Sequence, residues 1–148
     1  MPSSDLIDHP LITTFGRLVE THCRLERRLG AAMQTEAGLP HLWFEVLIRL
    51  ARAERGQLSM SALADQIALT TSGVTRLIDR IQAAGYVERC PCLRDRRIAY
   101  AAITDAGHDI LARAAVGHVR NLRASFAKFS EDDLAVLDDL LDRLRSTT

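Results

Sequence analysis

The stretch TSGVTRLIDRIQAAGYVERCPCLRDRRIAYAAIT, residues 71–104, changes its apolar period halfway along. Its first part repeats apolar residues at the three- and four-residue spacing of an amphipathic helix, at Val74, Leu77, Ile78 and Ile81. Gly85 follows as the predicted left-handed C-cap of that helix. YVERC and RIAYAAIT then read as two short strands with PCLRDR between them, and Pro91 suits a hairpin edge. The stretch therefore predicts a helix that runs directly into a hairpin.

A second helix is predicted immediately upstream. Ser59 is a plausible N-cap for the short helix MSALADQIA, and LTTS separates this helix from the one that begins near Thr71. A short helix, a tight turn and a second helix form a helix-turn-helix, whose second helix enters the major groove of DNA. The start of that second helix is small and rich in hydroxyls, and its N-terminus favours a phosphate. The predicted DNA contacts on it are Thr70, Thr71, Ser72, Gly73, Thr75, Arg76 and Arg80.

A hairpin directly after such a helix is typical of a wing. Arginines at the wing tip are attracted by the negative potential of the minor groove. We expect Asp95 to pair with Arg97 and to hold that guanidinium extended, while Arg94 serves a phosphate and Arg96 is a further candidate contact. The alternative for these four residues is a solvated, ion-paired loop.

The rest of the chain is predicted to be helical. Helices are expected at about 8–37, 41–54 and 105–129, RGQL is a turn, and Ser130 with Asp133 resembles a capping box that opens a last helix. The predicted fold is mainly α (α+β), in the order α-α-α-α-β-β-α-α. The terminal helices carry long apolar stripes that the middle of the chain is too small to cover, so we expect a partner chain, most simply in a two-fold dimer.

Composition limits the classes of protein that need to be considered. The chain has 148 residues, 47% of them hydrophobic and 26% charged, with zero formal net charge. We expect no transmembrane helix, no signal peptide at MPSSDLIDHP and a cytoplasmic location. A phosphate-binding glycine loop, a Gly-x-Ser-x-Gly elbow and a His-Glu-x-x-His motif are all missing, so an enzyme is not expected, and no cofactor is predicted.

The segment LSMSALADQIALTTSGVTRLIDRIQAAGYVERCPCLRDRRIAYAAITDAG resembles the winged helix-turn-helix core of the MarR family of bacterial transcriptional regulators. The resemblance implies a triangular homodimer, joined through its N- and C-terminal helices, with an Asp-x-Arg pair in each wing, here Asp95 and Arg97. It also implies repression that ends when a small, often phenolic ligand or an oxidant acts. On this basis residues 1–40 and 105–148 form the dimerisation region, and residues 41–104 form the DNA-binding lobe.

Some residues keep more than one interpretation. Cys90 and Cys92 are either incidental or, with a thiol pKa lowered by the arginines nearby, oxidation-sensing; two cysteines are too few for a zinc site, and no metal is predicted. His22 is either an interface histidine or a ligand handle. Arg17, His41 and Trp43 could line the same ligand cleft between the dimerisation helices and the DNA-binding lobe.

The prediction is therefore a homodimeric, sequence-specific repressor of transcription. It would bind double-stranded DNA at a pseudo-palindromic operator whose half-sites lie about 10 bp apart, and a small aromatic effector would release it. The rival classes are an oxidation-sensing regulator and a protein-interaction module that does not bind DNA. The module would explain the apolar stripes but not the wing arginines.

Overall fold

The computed structural model describes residues 6–92 and 94–148, so the first five residues, which enter the signal-peptide prediction, lie outside the described part. The helices and strands there follow the order α1 (Pro10–Ala37), α2 (His41–Arg52), β1 (Gln57–Ser59), α3 (Met60–Ile67), α4 (Thr71–Ala83), β2 (Val87–Pro91), β3 (Ala99–Ile103), α5 (Asp105–Ser125) and α6 (Glu131–Ser146). A mainly helical chain with a small antiparallel sheet is therefore confirmed.

The sheet contains one strand more than the sequence pattern predicts. Its order is β1-β3-β2, and both outer strands run antiparallel to β3. The predicted turn RGQL is a single 3-10 turn followed by β1, so the order α-α-α-α-β-β-α-α was wrong at this point. Three residues are too few to show strand alternation, and β1 exists because its partner β3 supplies the hydrogen bonds. Pro91 lies on an edge strand, where its missing N–H is tolerated.

The turn between α4 and β2 is a complete Schellman motif. The N–H of Gly85 donates to the Gln82 carbonyl at 2.8 Å, and the N–H of Tyr86 donates to the Ile81 carbonyl at 3.2 Å. The C-cap itself is Ala84 rather than the predicted Gly85, which follows it at φ +86°. Glycine is suited to that position because it has no Cβ to oppose a left-handed conformation. The motif directs the chain from the helix straight into the wing.

One hydrophobic core joins the helix-turn-helix to the neighbouring helices. The residues of α4 that were predicted to face inward are buried, and they pack with α2, α3 and β3 through Leu47, Leu50, Leu63 and Ala101. Met33 of α1 and Ile110 of α5 belong to the same cluster. Because the inward face of α4 is filled in this way, its opposite face is left exposed.

The two terminal helices differ from the core in their burial. At the start of α1, Leu11 and Phe15 are 71% and 67% exposed, and α6 has no buried residue. The predicted capping box of Ser130 and Asp133 opens α6. Helix α5 ends at Ser125, four residues before the predicted end, because the chain must leave the helix to give Ser130 the extended backbone of an N-cap. Within the described residues, no helix is long and apolar enough to cross a membrane.

Candidate nucleic-acid interface

The N-terminus of α4 is built from hydroxyl side chains that cap the helix. Thr70 is the N-cap, and its hydroxyl accepts a hydrogen bond from the Gly73 N–H at 3.1 Å. A Cβ on Gly73 would lie only 3.1 Å from that same hydroxyl, so the absence of a side chain protects the cap. Thr71 and Ser72 stand exposed beside it, with free backbone N–H groups of the first helical turn. This end of α4 is therefore a suitable binding position for a phosphate.

The exposed face of α4 carries two of the predicted arginines. Arg76 and Arg80 are exposed and lie four residues apart, on the side opposite the buried residues of the same helix. In the described part of the chain, neither guanidinium forms an ion pair. Thr75 is half-buried beside them. The face therefore presents two unneutralised positive charges above a hydroxyl-rich helix start, which suits a polyanion with readable base edges.

The wing tip holds Arg97 in a fixed geometry. The Arg97 Nε donates to Asp95 Oδ1 at 3.1 Å, its Nη2 donates to Oδ2 at 3.2 Å, and its backbone N–H donates to Oδ1 at 3.0 Å. The side-chain hydrogen bonds, followed by the backbone one, hold the pKa of the Asp95 carboxyl below its ordinary value. The Arg97 side chain is nevertheless 90% exposed. Asp95 thus orients this guanidinium, as the sequence predicts, while leaving it accessible.

The remaining arginines of the wing fall into two groups. Arg94 and Arg96 are exposed, and no carboxylate in the described residues lies within ion-pair distance of either. Arg89 is different, because its Nη2 contacts Asp79 Oδ1 at 2.8 Å and donates to the Thr75 carbonyl at 3.1 Å. No local sequence pattern distinguishes Arg89 from the arginines at the wing tip, because both of its partners lie on helix α4.

The surroundings of Cys90 do not favour the reactive thiolate form. Burial, and then the nearby Glu88 carboxylate, raises the pKa of the Cys90 thiol above its ordinary value. This is opposite to the lowering that an oxidation-sensing role requires, because burial and Glu88, and not the arginines nearby, dominate the surroundings of this thiol. A raised pKa leaves less thiolate at neutral pH, and thiolate is the reactive form. Within the described ranges, no group of three or more His, Cys, Asp or Glu is arranged to hold a metal ion.

The four predicted ligand residues have different neighbours. Arg17 is exposed on α1, and His22 is 70% exposed with its Nε2 3.3 Å from Glu26. The Trp43 ring meets the Tyr86 ring edge-on, at 6.4 Å between centroids. His41 instead lies between α1 and α5. The structure therefore places His41 and Trp43 on separate contacts and does not gather the four residues around one point.

His41 lies next to His118, and no local sequence pattern identifies the two histidines as neighbours. The His41 ring lies 5.8 Å from the ring of His118 on α5, which packs on Phe44 at 4.9 Å. The Nδ1 atoms of both histidines are buried without a hydrogen-bond partner in the described structure. Burial, followed by the charge of His41, lowers the pKa of the His118 imidazole. The junction of α1, α2 and α5 thus contains two buried ring nitrogens without a hydrogen-bond partner among the described residues, although His41 Nδ1 lies 3.9 Å from the Glu26 carboxylate.

The geometry described so far is that of a winged helix-turn-helix protein, and comparison with known proteins agrees. The model of the MarR family matches residues 37–98. The regulator PecS of Dickeya dadantii is 33% identical over 104 residues, which are 68% of this chain and 61% of PecS. The matched part therefore spans less than two thirds of that relative's length.

Solved structures show the same similarity over nearly the whole chain. Sco3205, a MarR family regulator of Streptomyces coelicolor that was crystallised in complex with DNA, is 29% identical with a TM-score of 0.80, covering 91% of this chain and 85% of its own. AbsC of the same organism is 28% identical with a TM-score of 0.74, covering 90% and 93%. The chain is similar to members of the MarR family of transcriptional regulators over most of its length and shares their winged helix-turn-helix fold.

Proposed function

We propose that the protein is a homodimeric transcriptional regulator that binds double-stranded DNA at a pseudo-palindromic operator. The observation that carries the proposal is the pairing of an exposed recognition face on α4 with an exposed, oriented Arg97 on the wing. Helix α4 suits the major groove, and the wing suits the adjacent minor groove. The DNA complex of the related Sco3205 supports the same role.

The dimer is supported by the apolar side chains left exposed at both ends of the chain. Besides Leu11 and Phe15 of α1, helix α6 exposes Val136, Leu140 and Leu144. A soluble monomer rarely leaves so many large apolar side chains exposed along two of its helices. A second copy joined through a two-fold axis would cover the same patch on both chains and would place two α4 helices about one DNA turn apart.

The direction of regulation is the last part of the proposal. We propose repression that ends when a small aromatic ligand binds near the junction of α1, α2 and α5. The Nδ1 atoms of His41 and His118 support this position, because they have no hydrogen-bond partner among the described residues and could hydrogen-bond a polar group of the ligand. Such a ligand acts only if it prefers the spacing of the α4 helices that does not fit DNA.

DNA binding is tested first, by fluorescence anisotropy with the DNA upstream of the protein's own gene across a salt series. We expect tight, salt-sensitive binding, and we expect Arg97→Ala to lower both the affinity and the salt slope, the latter by about 1. Arg123→Ala removes one exposed arginine of α5, far from the wing, and serves as the matched control. If the wild type binds neither this DNA nor randomised duplexes, the proposal is wrong.

Ligand release is tested separately on the protein–DNA complex. Hydroxybenzoates are added as probes, and a loss of anisotropy in the wild type that is absent in His41→Phe supports the proposed position. If no aromatic probe changes DNA affinity, ligand release is wrong while DNA binding stands.

A further inference from the structure

Arg89 is the one arginine near the wing whose guanidinium is directed into the protein's own DNA-binding lobe. It lies on β2 opposite Ala101 of β3, on the strand face shared with the buried Val87, because alternate strand residues point the same way. That face is turned toward α4. The side chain is only 35% exposed, whereas Arg97 is almost fully exposed.

The contacts of Arg89 join the wing to the recognition helix at two points. A single nitrogen, Nη2, lies 2.8 Å from the Asp79 carboxylate and 3.1 Å from the Thr75 carbonyl oxygen. Thr75 and Asp79 are one turn apart on α4, and the Thr75 carbonyl points toward Asp79, so a single nitrogen reaches both groups. The contact therefore opposes separation of β2 from α4.

The position of this contact makes the angle of the wing sensitive to it. Strand β2 is an edge strand whose sheet partner is β3, and the base of the hairpin is fixed by the buried Val87 and Ala101. Arg89 lies beyond Val87, so its contact bears on the outer part of the hairpin. A strand rises about 3.3 Å per residue, so the wing tip lies roughly 15 Å beyond the start of β2. A tilt of roughly 10° at the base would move the tip by about 3 Å, which is more than a hydrogen bond tolerates.

Without Arg89, the carboxylate of Asp79 would be unfavourable for DNA binding. It is a 57% exposed carboxylate on a helix that is proposed to face DNA, where an unpaired negative charge would repel phosphates. Its partner neutralises that charge and makes the carboxylate the attachment point of the wing.

We propose that Arg89 is a positioning residue, which fixes the wing against the recognition helix through Asp79 and Thr75 so that both reach DNA together. The inference rests on the proposed DNA binding. Arg89 itself contacts no DNA in this arrangement, which distinguishes it from Arg76, Arg80 and Arg97. Its loss lowers the affinity for the operator by displacing the wing, and not by removing a phosphate contact of its own.

The test uses Arg89→Met, which keeps the aliphatic length, Asp79→Asn, which keeps the shape, and the double variant. The probe is a labelled duplex that the wild-type protein enriches from a randomised pool. We expect each single variant to bind it about 3- to 10-fold more weakly, in line with the loss of one partly exposed ion pair and a hydrogen bond. The double variant should be no weaker than the weaker single variant, because both changes remove the same contact.

The direction of the Asp79→Asn effect is decisive. This change makes the protein more positive, so an electrostatic effect alone would tighten binding, whereas positioning predicts weaker binding. The salt slope should fall by less in either variant than it does in Arg97→Ala, and stoichiometric titration should show the same active fraction. A merely structural loss would instead lower the active fraction. Arg120→Met, which breaks the ion pair between α5 and Glu36 on α1, is the control and should bind normally.

Two results overturn the inference while DNA binding stands. One is Asp79→Asn binding as tightly as the wild type or more so. The other is a salt slope for Arg89→Met that falls as far as that of Arg97→Ala, since this would make Arg89 a direct phosphate contact. If the wild type itself enriches no duplex, the proposed function is wrong, and the inference is wrong with it.

Discussion

Thr104 connects the wing to α5, and replacing it with valine should destabilise the protein measurably. Its hydroxyl caps α5 by accepting from the Gly107 N–H at 3.0 Å. The same hydroxyl donates to the Gly85 carbonyl at 2.6 Å, in the Schellman turn that ends α4. One oxygen therefore ties the start of α5 to the end of the recognition helix. Thr104→Val removes both hydrogen bonds and nearly preserves the shape of the side chain.

The expected loss follows from these two hydrogen bonds. Removing an N-cap hydroxyl costs about 1 kcal/mol, and a second hydrogen bond contributes about 1 kcal/mol more. Because Thr104 is only half-buried, water replaces part of the second bond, so we expect a loss of about 1–2 kcal/mol. For a chain of 148 residues, this corresponds to a fall in Tm of roughly 3–6 °C.

Thermal and urea unfolding, followed by circular dichroism, measure this loss. Wild type, Thr104→Val and Thr104→Ser are compared at one protein concentration, because the Tm of the proposed dimer would depend on concentration. The serine variant keeps the hydroxyl and should retain most of the stability. A valine variant as stable as the wild type would falsify the two-bond account. A serine variant as unstable as the valine variant would assign the loss to the methyl group.

Three further predictions concern close packing, protonation and capping. Gly107→Ala should destabilise the fold by about 1–3 kcal/mol, because the new Cβ would overlap the Tyr86 carbonyl oxygen. Urea unfolding measures the loss of stability, and a variant as stable as the wild type would contradict the prediction. The pKa of His118 is lowered in the folded state, mainly by burial, so the unfolded chain binds the proton more readily. Stability should therefore fall as the pH drops below about 6.5, and His118→Gln should reduce that fall; identical pH profiles for the two proteins would contradict this. Ser130→Ala removes one half of the capping box with Asp133 and should cost about 1 kcal/mol, measured by urea unfolding, with Ser130→Thr as the control expected to stay near wild type.

Helix positions and caps were largely predictable from the sequence because they depend on neighbours within a few residues. The inward face of α4, the Ser59 and Ser130 caps and the hairpin each leave a local pattern of period, hydroxyl or turn residue. The pairing of Asp95 with Arg97 belongs to the same group, because the partners are only two positions apart in the chain. The family was recognisable for the same reason, since its most specific features are contiguous.

The tertiary structure alone decided the features whose partners lie far apart in the chain. Strand β1 depends on β3, more than forty residues later. The Cys90 environment depends on burial, which reversed the expected direction of its pKa shift. The contact between His41 and His118 and the direction of Arg89 into α4 also join distant segments. The sequence determined which residues are basic and whether each lies on helix α4 or on the wing. Only the packing of the wing against α4 decided which arginines remain exposed, because a guanidinium is directed by the nearest carboxylate or carbonyl, and the fold brings these groups together.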